Sequence, residues 1–186
     1  MSDPDADLVR RVGAGDSGAA ETLVRKHLTR IHALAQRMLG DRAEAEDVAQ
    51  EVFFRAWREA PKWVPGRAKF ETWMHRVALN LCYDRLRRRR ETTDPDAGIA
   101  MPDPAPGADE MWHAQQRSQR VQSALAALPE RQRAAIALCH FEEMSQADAA
   151  ASLNLSVDAL ESLLARGRRT LRASLADMKE TGRGHG

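Results

Sequence analysis

Residues 91–110 form a segment that is unsuited to packing into a folded core. They contain six acidic residues and no basic one, and four prolines interrupt them: Pro95, Pro102, Pro104 and Pro106. Proline fixes φ and removes a backbone donor, and so few apolar side chains cannot offset the entropy lost on ordering. The segment therefore predicts a flexible acidic linker that divides the chain into two parts, each folding around its own core.

The total charge of the chain hides a strong segregation. The formal net charge is +1, yet residues 1–90 hold 18 basic and 13 acidic residues, and residues 111–186 hold 10 basic and 8 acidic residues. Both parts outside the linker are thus basic, and the linker carries the compensating acids. The nearly neutral total therefore does not argue against a nucleic-acid partner.

Several classes of protein are disfavoured by the sequence. The polar, acidic N-terminus has no apolar signal region, and no run of about 18 apolar residues is present, so we expect a cytoplasmic protein. Cys82 and Cys139 are far apart and fit the free thiols of a reducing compartment. Together with His113 and His140 they lack the paired spacing of a zinc site, so we expect no metal and no cofactor.

Residues 141–172 have the apolar and capping pattern of a helix-turn-helix. Ser145 is a good N-cap with Asp148 three residues later, Asn154 suits the end of the first helix, and Ser156 can cap the second. Such a unit places its second helix in the major groove of DNA. The expected buried side consists of Leu153, Leu155, Val157, Leu160, Leu164 and Leu171.

The second helix of this unit would present a basic face. Ser162, Arg166 and Arg169 are spaced i, i+4, i+7 and share one exposed side. An alternative interpretation is an arginine-rich helical hairpin without a DNA-binding role.

The first part of the chain predicts a bundle of four helices, with no strand-like alternation and no internal repeat. Asp16 or Ser17 can start the second helix, Gly40 can end it, and Asp41 with Glu44 can start the third. The expected apolar stripes are Leu8, Val9 and Val12; Val24, Leu28, Ile31, Ala35 and Met38; Val48, Val52 and Phe53; and Val77, Leu81 and Leu86.

The fourth helix, expected over residues 70–90, combines aromatic rings with a run of arginines. Trp63, Phe70 and Trp73 lie in or beside the preceding loop, and aromatic faces beside cations suit unstacked bases. The arginines suit phosphate neutralisation; they are Arg85, Arg87, Arg88, Arg89 and Arg90. The alternative is that the rings belong to the core and that the arginines form a solvated helix end.

Three motifs in this order resemble a known family. DRAEAEDVAQEVFFRAW (41–57), FETWMHRVALNLCYDRLRRRR (70–90) and the segment 128–171 are similar to regions 2.2, 2.3–2.4 and 4 of bacterial extracytoplasmic function sigma factors of the sigma-70 family. The resemblance implies an all-α fold with region 2 at residues 1–91, the linker at 92–112, region 4 at 113–178 and a disordered tail at 179–186.

The resemblance also implies roles for individual residues. Asn80 matches the position that reads a flipped base of the −10 element, and Trp73 and Arg76 flank the strand-opening surface. The residues matching the face that docks on the polymerase are Asp47, Gln50, Glu51 and Arg55. The complete set expected at DNA is Phe70, Trp73, Arg76, Asn80, Arg85, Arg87, Arg88, Ser162, Arg166, Arg168 and Arg169.

The function implied by the resemblance is that of an alternative sigma factor. Its partners would be core RNA polymerase, through the beta-prime coiled coil and the beta flap, promoter DNA, and an anti-sigma factor, which in this family is often membrane-attached. No small-molecule substrate is expected. The protein would direct initiation without catalytic activity of its own, and the sequence contains no recognisable nucleophile–base pair or phosphate-binding glycine loop.

Departures from the family pattern and two rival functions stay open at this point. Glu161 and Leu163 stand where many members have basic residues, so the −35 sequence is not predictable. Gly167 inside the helix costs roughly 1 kcal/mol relative to alanine, and close approach to DNA is one explanation. The rivals are a dimeric helix-turn-helix regulator with palindromic half-sites and a helical enzyme using His27, His32, His75, His113 and His140.

Overall fold

The computed structural model describes residues 2–92 and 109–181, with side chains over 2–92 and 115–176. All regular structure within these ranges is helical, which confirms the expected all-α class. The helices are α1 (Ala6–Gly13), α2 (Ser17–Leu39), α3 (Arg42–Glu59), α4 (Phe70–Thr92), α5 (Asp109–Ala126), α6 (Glu130–Ile136), α7 (Gln146–Leu153) and α8 (Val157–Thr181); a 3₁₀ turn (Ala60–Lys62) follows α3 and a π-helical turn (Ala137–Phe141) follows α6.

The caps expected from the sequence form at both boundaries of α2 and at the start of α3. The Asp16 carboxylate accepts a hydrogen bond from the Ala19 amide at 3.0 Å, and Asp41 accepts one from the Glu44 amide at 2.8 Å. Gly40 ends α2 in the left-handed conformation, with φ of 69°. These side chains satisfy amides that lack a partner at a helix start, so the helix boundaries follow from local chemistry.

Helices α1 to α4 enclose the first core. Its larger side chains come mainly from α2 and α4, and α3 adds Val48, Val52 and Phe53 as expected. The expected stripes were partly wrong on the other helices. Leu28 is 42% exposed, and Val77, Leu81 and Leu86 are only half-buried. On α4 the buried side instead contains Phe70, Met74, Ala78, Leu79 and Cys82.

The rotation of the α4 stripe has a physical cause in the first turn of the helix. Phe70 is completely buried and packs against Trp63 and Trp73. Because side chains four residues apart lie on one face, the position of Phe70 directs Met74, Ala78 and Cys82 inward.

Helices α1 to α4 form the first module, and helices α5 to α8 form the second, which contains the helix-turn-helix with its predicted caps. The Ser145 hydroxyl accepts a hydrogen bond from the Asp148 amide at 3.1 Å, and the Ser156 hydroxyl accepts one from the Ala159 amide at 3.2 Å. Asn154 ends α7 with φ of 54°. Leu153, Leu160 and Leu164 are buried, and Leu155 and Leu171 are half-buried. The prediction for Val157 was wrong, because this side chain is exposed at the start of α8.

Gly167 faces the interior of the second module. A Cβ atom built at this position would lie 3.1 Å from Cγ1 of Ile136, so the glycine lets α8 pack closely on α6. The explanation by close approach to DNA was therefore wrong, because the residue is buried against a neighbouring helix rather than presented to solvent.

Two boundaries differ from the sequence prediction. Helix α5 begins at Asp109, within the predicted linker of residues 92–112, and residues 93–108 of that linker lie outside the described residues. Helix α8 continues to Thr181, so residues 179–181 of the predicted disordered tail are helical. The remaining residues of that tail, 182–186, also lie outside the described part of the chain.

The two modules pack directly on each other. Helix α7 lies against α4, and α5 and α6 lie against α2. The Lys69 ammonium is 2.6 Å from the Asp148 carboxylate, and the Ser152 hydroxyl donates to the Thr72 carbonyl oxygen at 3.4 Å. The buried guanidinium of Arg133 donates to the carbonyl oxygen of Met38. Nothing in the periodicity of the sequence predicts this contact between the modules.

Candidate nucleic-acid interface and docking groove

A groove of about 860 Å³ lies between α2 and α3 on the first module. Three large apolar side chains in its lining are exposed to solvent: Leu28, Phe54 and Trp57 are 42%, 53% and 42% exposed. A contiguous exposed apolar surface with a polar border is typical of a protein-binding site. The sequence prediction missed these three residues, because each was either assigned to the core or left unassigned.

The predicted polymerase-docking residues lie along this groove. Asp47, Gln50 and Glu51 line it, and Arg55 is joined to Glu51 by an ion pair of 2.7 Å. All four project from α3 at an accessible face. The structure thus combines the predicted polar face with the apolar groove in one surface.

An aromatic cluster stands at the start of α4. The ring centroids of Phe70 and Trp73 are 5.3 Å apart in a nearly parallel arrangement, and Trp63 meets Phe70 edge-on at 4.9 Å. Phe70 has no exposed surface, whereas Trp73 is half-buried. Trp73 is therefore the more accessible ring of this pair and Phe70 lies behind it, which corresponds to the alternative core interpretation of Phe70.

The N-terminal segment contributes to this site from far away in sequence. The Asp3 carboxylate accepts a hydrogen bond from the Phe70 amide at 2.9 Å and so caps α4. An N-cap side chain satisfies an amide that the helix leaves without a partner. The first residues of the chain therefore help to orient the aromatic cluster, a contribution with no local signal in the sequence.

Two adjacent stripes of α4 have different surroundings. Trp73 and Asn80 share the stripe that continues to Arg87, and Asn80 and Arg87 are exposed. Thr72 and Arg76 belong to the neighbouring stripe. Thr72 is 2% exposed and its main-chain oxygen accepts a hydrogen bond from Ser152 of the second module, and Nε of Arg76 is buried without a hydrogen-bond partner in the described part of the chain. Of the predicted strand-opening residues, Asn80 is therefore exposed, Trp73 is half-buried, and Arg76 has a buried Nε.

The arginines at the end of α4 are not equivalent. Arg89 holds the bundle together, since it contacts the Glu44 carboxylate and donates to the Leu39 carbonyl oxygen at 2.8 Å. Arg90 is joined to Glu130 of the second module. The other members are Arg85, 4.0 Å from Asp47; Arg87, 3.1 Å from Asp84; and Arg88, which is exposed.

The predicted recognition face of α8 is open to solvent. Ser162, Arg166 and Arg169 are all exposed on the side opposite the buried Leu160 and Leu164. Arg168 lies on a different side, with its Nε 3.2 Å from Nε2 of His140. The structure thus groups three of the four predicted residues on one accessible face.

Both cysteines are free thiols whose surroundings disfavour the thiolate form. Burial raises the pKa of the Cys82 thiol to about 12 and also raises the pKa of Cys139 above its usual value, so thiolate is disfavoured at both positions. Over the described residues, no group of three His, Cys, Asp or Glu side chains is placed to hold a metal ion.

None of the helices in the described ranges combines the length and the apolar character required to cross a bilayer.

Comparison with known proteins defines the class of the chain. Residues 23–92 match the family described as Sigma-70 region 2, and residues 118–171 match the family described as Sigma-70, region 4. These matches coincide with the groove, the α4 site and the helix-turn-helix. They define the class as sigma-70-type subunits of transcription initiation.

Individual relatives narrow this class to one group. The ECF RNA polymerase sigma factor SigW of Bacillus subtilis is 31% identical over 186 residues, which cover 91% of this chain and 96% of SigW. SigE of Mycolicibacterium smegmatis is 36% identical, over 87% of this chain and 65% of SigE. The chain belongs to the extracytoplasmic function group of sigma-70 factors.

A solved structure shows the same fold. CnrH in complex with the cytosolic domain of CnrY superposes with a TM-score of 0.75 at 30% identity, covering 94% of this chain and 99% of CnrH. Coverage of this extent includes both modules.

Proposed function

We propose that the protein is an alternative sigma factor that binds core RNA polymerase and directs it to a specific set of promoters. The observation that carries this proposal is the presence of three separate surfaces in one chain. They are the groove between α2 and α3, the stripe of α4 with Trp73 and Asn80, and the basic face of α8. A dimeric helix-turn-helix regulator would need only the last of them.

Each surface supports one step of initiation. The α2–α3 groove supports docking on the polymerase, because exposed apolar side chains beside Asp47 and Glu51 suit an amphipathic partner. The exposed face of α8 supports reading of the −35 element as duplex. The stripe with Trp73 and Asn80 supports capture of an unstacked base of the −10 element.

The protein itself is not an enzyme under this proposal, and the polymerase performs the chemistry. It acts in the cytoplasm, where promoter DNA and polymerase are found. An anti-sigma factor controls it, in line with the complex that CnrH forms with the cytosolic domain of CnrY.

Run-off transcription with purified core polymerase tests the proposal. Core enzyme alone should give no specific transcript from promoters recovered by genomic selection, and addition of the protein should produce one. A chain truncated before α5 should fail in this assay. Sequence-specific binding without any stimulation of core polymerase would contradict the proposal and favour a helix-turn-helix regulator.

A further inference from the structure

A buried carboxylate joins the two modules of the protein. Glu142 follows the π-helical turn, and its side chain is only 3% exposed. Two arginines of α2 contact it from the other module: Nε of Arg30 at 3.2 Å and an Nη of Arg37 at 2.8 Å. Arg30 also donates to the main-chain carbonyl oxygen of Glu142, so the contact involves both the side chain and the backbone of this residue.

The backbone around Glu142 has two unusual features at the point where the carboxylate meets α2. The Glu142 amide donates to the Ala137 carbonyl oxygen at 3.0 Å, a five-residue step that widens the end of the helix, and Glu143 follows with φ of 52°. Phe141 lies beneath the guanidinium of Arg37, 4.4 Å from its ring centroid. A π turn and a left-handed residue are uncommon and recur at functional positions.

The packed arrangement conflicts with simultaneous binding of two promoter elements. This step rests on the proposed function. Elements at −35 and −10 are about 25 base pairs apart, which corresponds to about 85 Å of duplex. A compact chain of this length has a radius of gyration of about 16 Å and is about 40 Å across. The two modules must therefore separate before both elements can be read.

The packed arrangement also covers part of the DNA-opening side of α4. Lys69 is paired with Asp148 of α7, and the main-chain oxygen of Thr72 accepts a hydrogen bond from Ser152 of the same helix. Separation of the modules would release these groups together.

We propose that Glu142, Arg30 and Arg37 form an intramolecular latch that holds the free protein in the packed state, which cannot engage both promoter elements. The latch works through matched charges. The buried carboxylate is tolerated because two guanidinium groups contact it, and an unpaired carboxylate at this position would favour separation, which returns it to water.

Small-angle scattering of the full chain tests the latch. The wild-type protein should have a radius of gyration near the about 16 Å expected for a compact body. Arg30→Gln/Arg37→Gln leaves the carboxylate buried without its partners, and the packed-to-separated ratio should fall on the order of 100-fold, with a clear rise in the radius of gyration. Arg30 also pairs with Glu71 within the first module, so adding Glu142→Gln to this variant removes the unpaired charge between the modules and should restore packing.

A matched control removes the same net charge elsewhere on the first module. Arg10→Gln/Arg25→Gln breaks two exposed ion pairs, with Asp7 and Glu21, and should leave the scattering unchanged. Circular dichroism shows whether every variant keeps its helices. An expanded wild-type protein, a compact arginine double variant, or no restoration by Glu142→Gln would each overturn the latch.

Run-off transcription at limiting protein separates this proposal from the proposed function. The arginine double variant should need less protein for half-maximal transcript than wild type, and the triple variant should return to the wild-type requirement. Scattering that behaves as expected without any transcript from the wild-type protein would retain the latch and refute the sigma function. Transcription by the wild-type protein, together with scattering that is the same for all variants, would retain the sigma function and refute the latch.

Discussion

At the scale of single residues, Asn80 and Arg166 occupy positions suited to different forms of DNA. Asn80 is exposed on the stripe shared with Trp73, and Arg166 is exposed on α8, where its Nε donates to the Ser162 carbonyl oxygen at 3.2 Å. A base must leave the stack before a protein pocket can hold it, whereas a major-groove contact needs intact duplex.

Substitution should therefore separate duplex binding from strand opening. We expect Arg166→Ala to weaken binding to closed promoter DNA by about 1–3 kcal/mol, the range for a bidentate contact to guanine. Asn80→Ala should leave this binding nearly intact and reduce the permanganate reactivity of unpaired thymines in the open complex. Full opening of a normal promoter by Asn80→Ala would contradict the assignment of α4.

His75 is a buried residue whose ionisation affects stability. Desolvation lowers the pKa of His75 from about 6.5 to about 4, and Nδ1 donates to the Glu71 carbonyl oxygen at 2.8 Å. The unfolded chain takes up a proton at this residue at higher pH than the folded chain does. The associated stability is therefore present above pH 6.5 and is lost as the pH falls through about 4.

Urea unfolding at several pH values measures this effect. Between pH 6.5 and 4 the free energy of unfolding should decrease by an amount that includes about 3 kcal/mol from His75. His75→Gln should flatten this dependence, while His140→Gln, at an exposed position, should not. An identical slope for wild type and His75→Gln would show that the burial of His75 is not responsible.

At the scale of elements, the C-terminal half of α4 illustrates how similar residues take different roles. The sequence predicted phosphate contacts along the arginine run, yet Arg89 is committed to Glu44 and to the end of α2. Arg87 and Arg88 remain exposed at the helix surface, and the ion pair of Arg87 with Asp84 is solvent-accessible and easily exchanged.

The salt dependence of promoter binding should distinguish these roles. Arg87→Gln/Arg88→Gln should weaken binding to all promoter sequences alike and reduce the log–log salt slope by about 2 units, since each phosphate contact contributes about 0.9. Arg89→Gln should instead lower the melting temperature of the protein. An unchanged slope in the double variant would show that these two arginines remain solvated in the complex.

The proposed docking groove lies along α3, where charged and apolar side chains line the same surface. Reversing both acidic residues, Asp47→Lys/Glu51→Lys, should abolish capture of the protein by immobilised core polymerase, because the partner would meet repulsive charge. Both side chains are solvent-accessible, so the fold should survive, as circular dichroism can show. Phe54→Ala/Trp57→Ala tests the apolar component, and core binding that persists in both variants would refute the docking assignment.

At the scale of the whole molecule, the main feature is how the two modules are arranged relative to each other. Contacts of Glu142, Asp148 and Glu130 with Arg30, Lys69 and Arg90 link residues that are 40 to 112 positions apart in sequence. Ion pairs of this kind are individually weak when they are exposed. When they are buried, each charge is tolerated only while its partner stays in contact with it. The packed state is therefore suited to reversal by a partner that binds either module.

The sequence by itself determined the helical class, the capped boundaries and the identity of the exposed polar faces. These features depend on contacts within a few residues: Asp16, Asp41 and Ser145 cap the helices that directly follow them. The spacing of Ser162, Arg166 and Arg169 likewise places them on one face of any helix that contains them.

Only the tertiary structure decided which apolar side chains enter the core and how the modules meet. The spacing of Leu28, Phe54 and Trp57 along their helices is compatible with burial. The neighbouring helices cover other positions, however, and leave these three side chains exposed in a groove. Gly167 is explained by Ile136, 31 positions away, and Glu142 by two arginines more than 100 positions away. Packing depends on surfaces distant in sequence, and local periodicity contains no information about which of them will face each other.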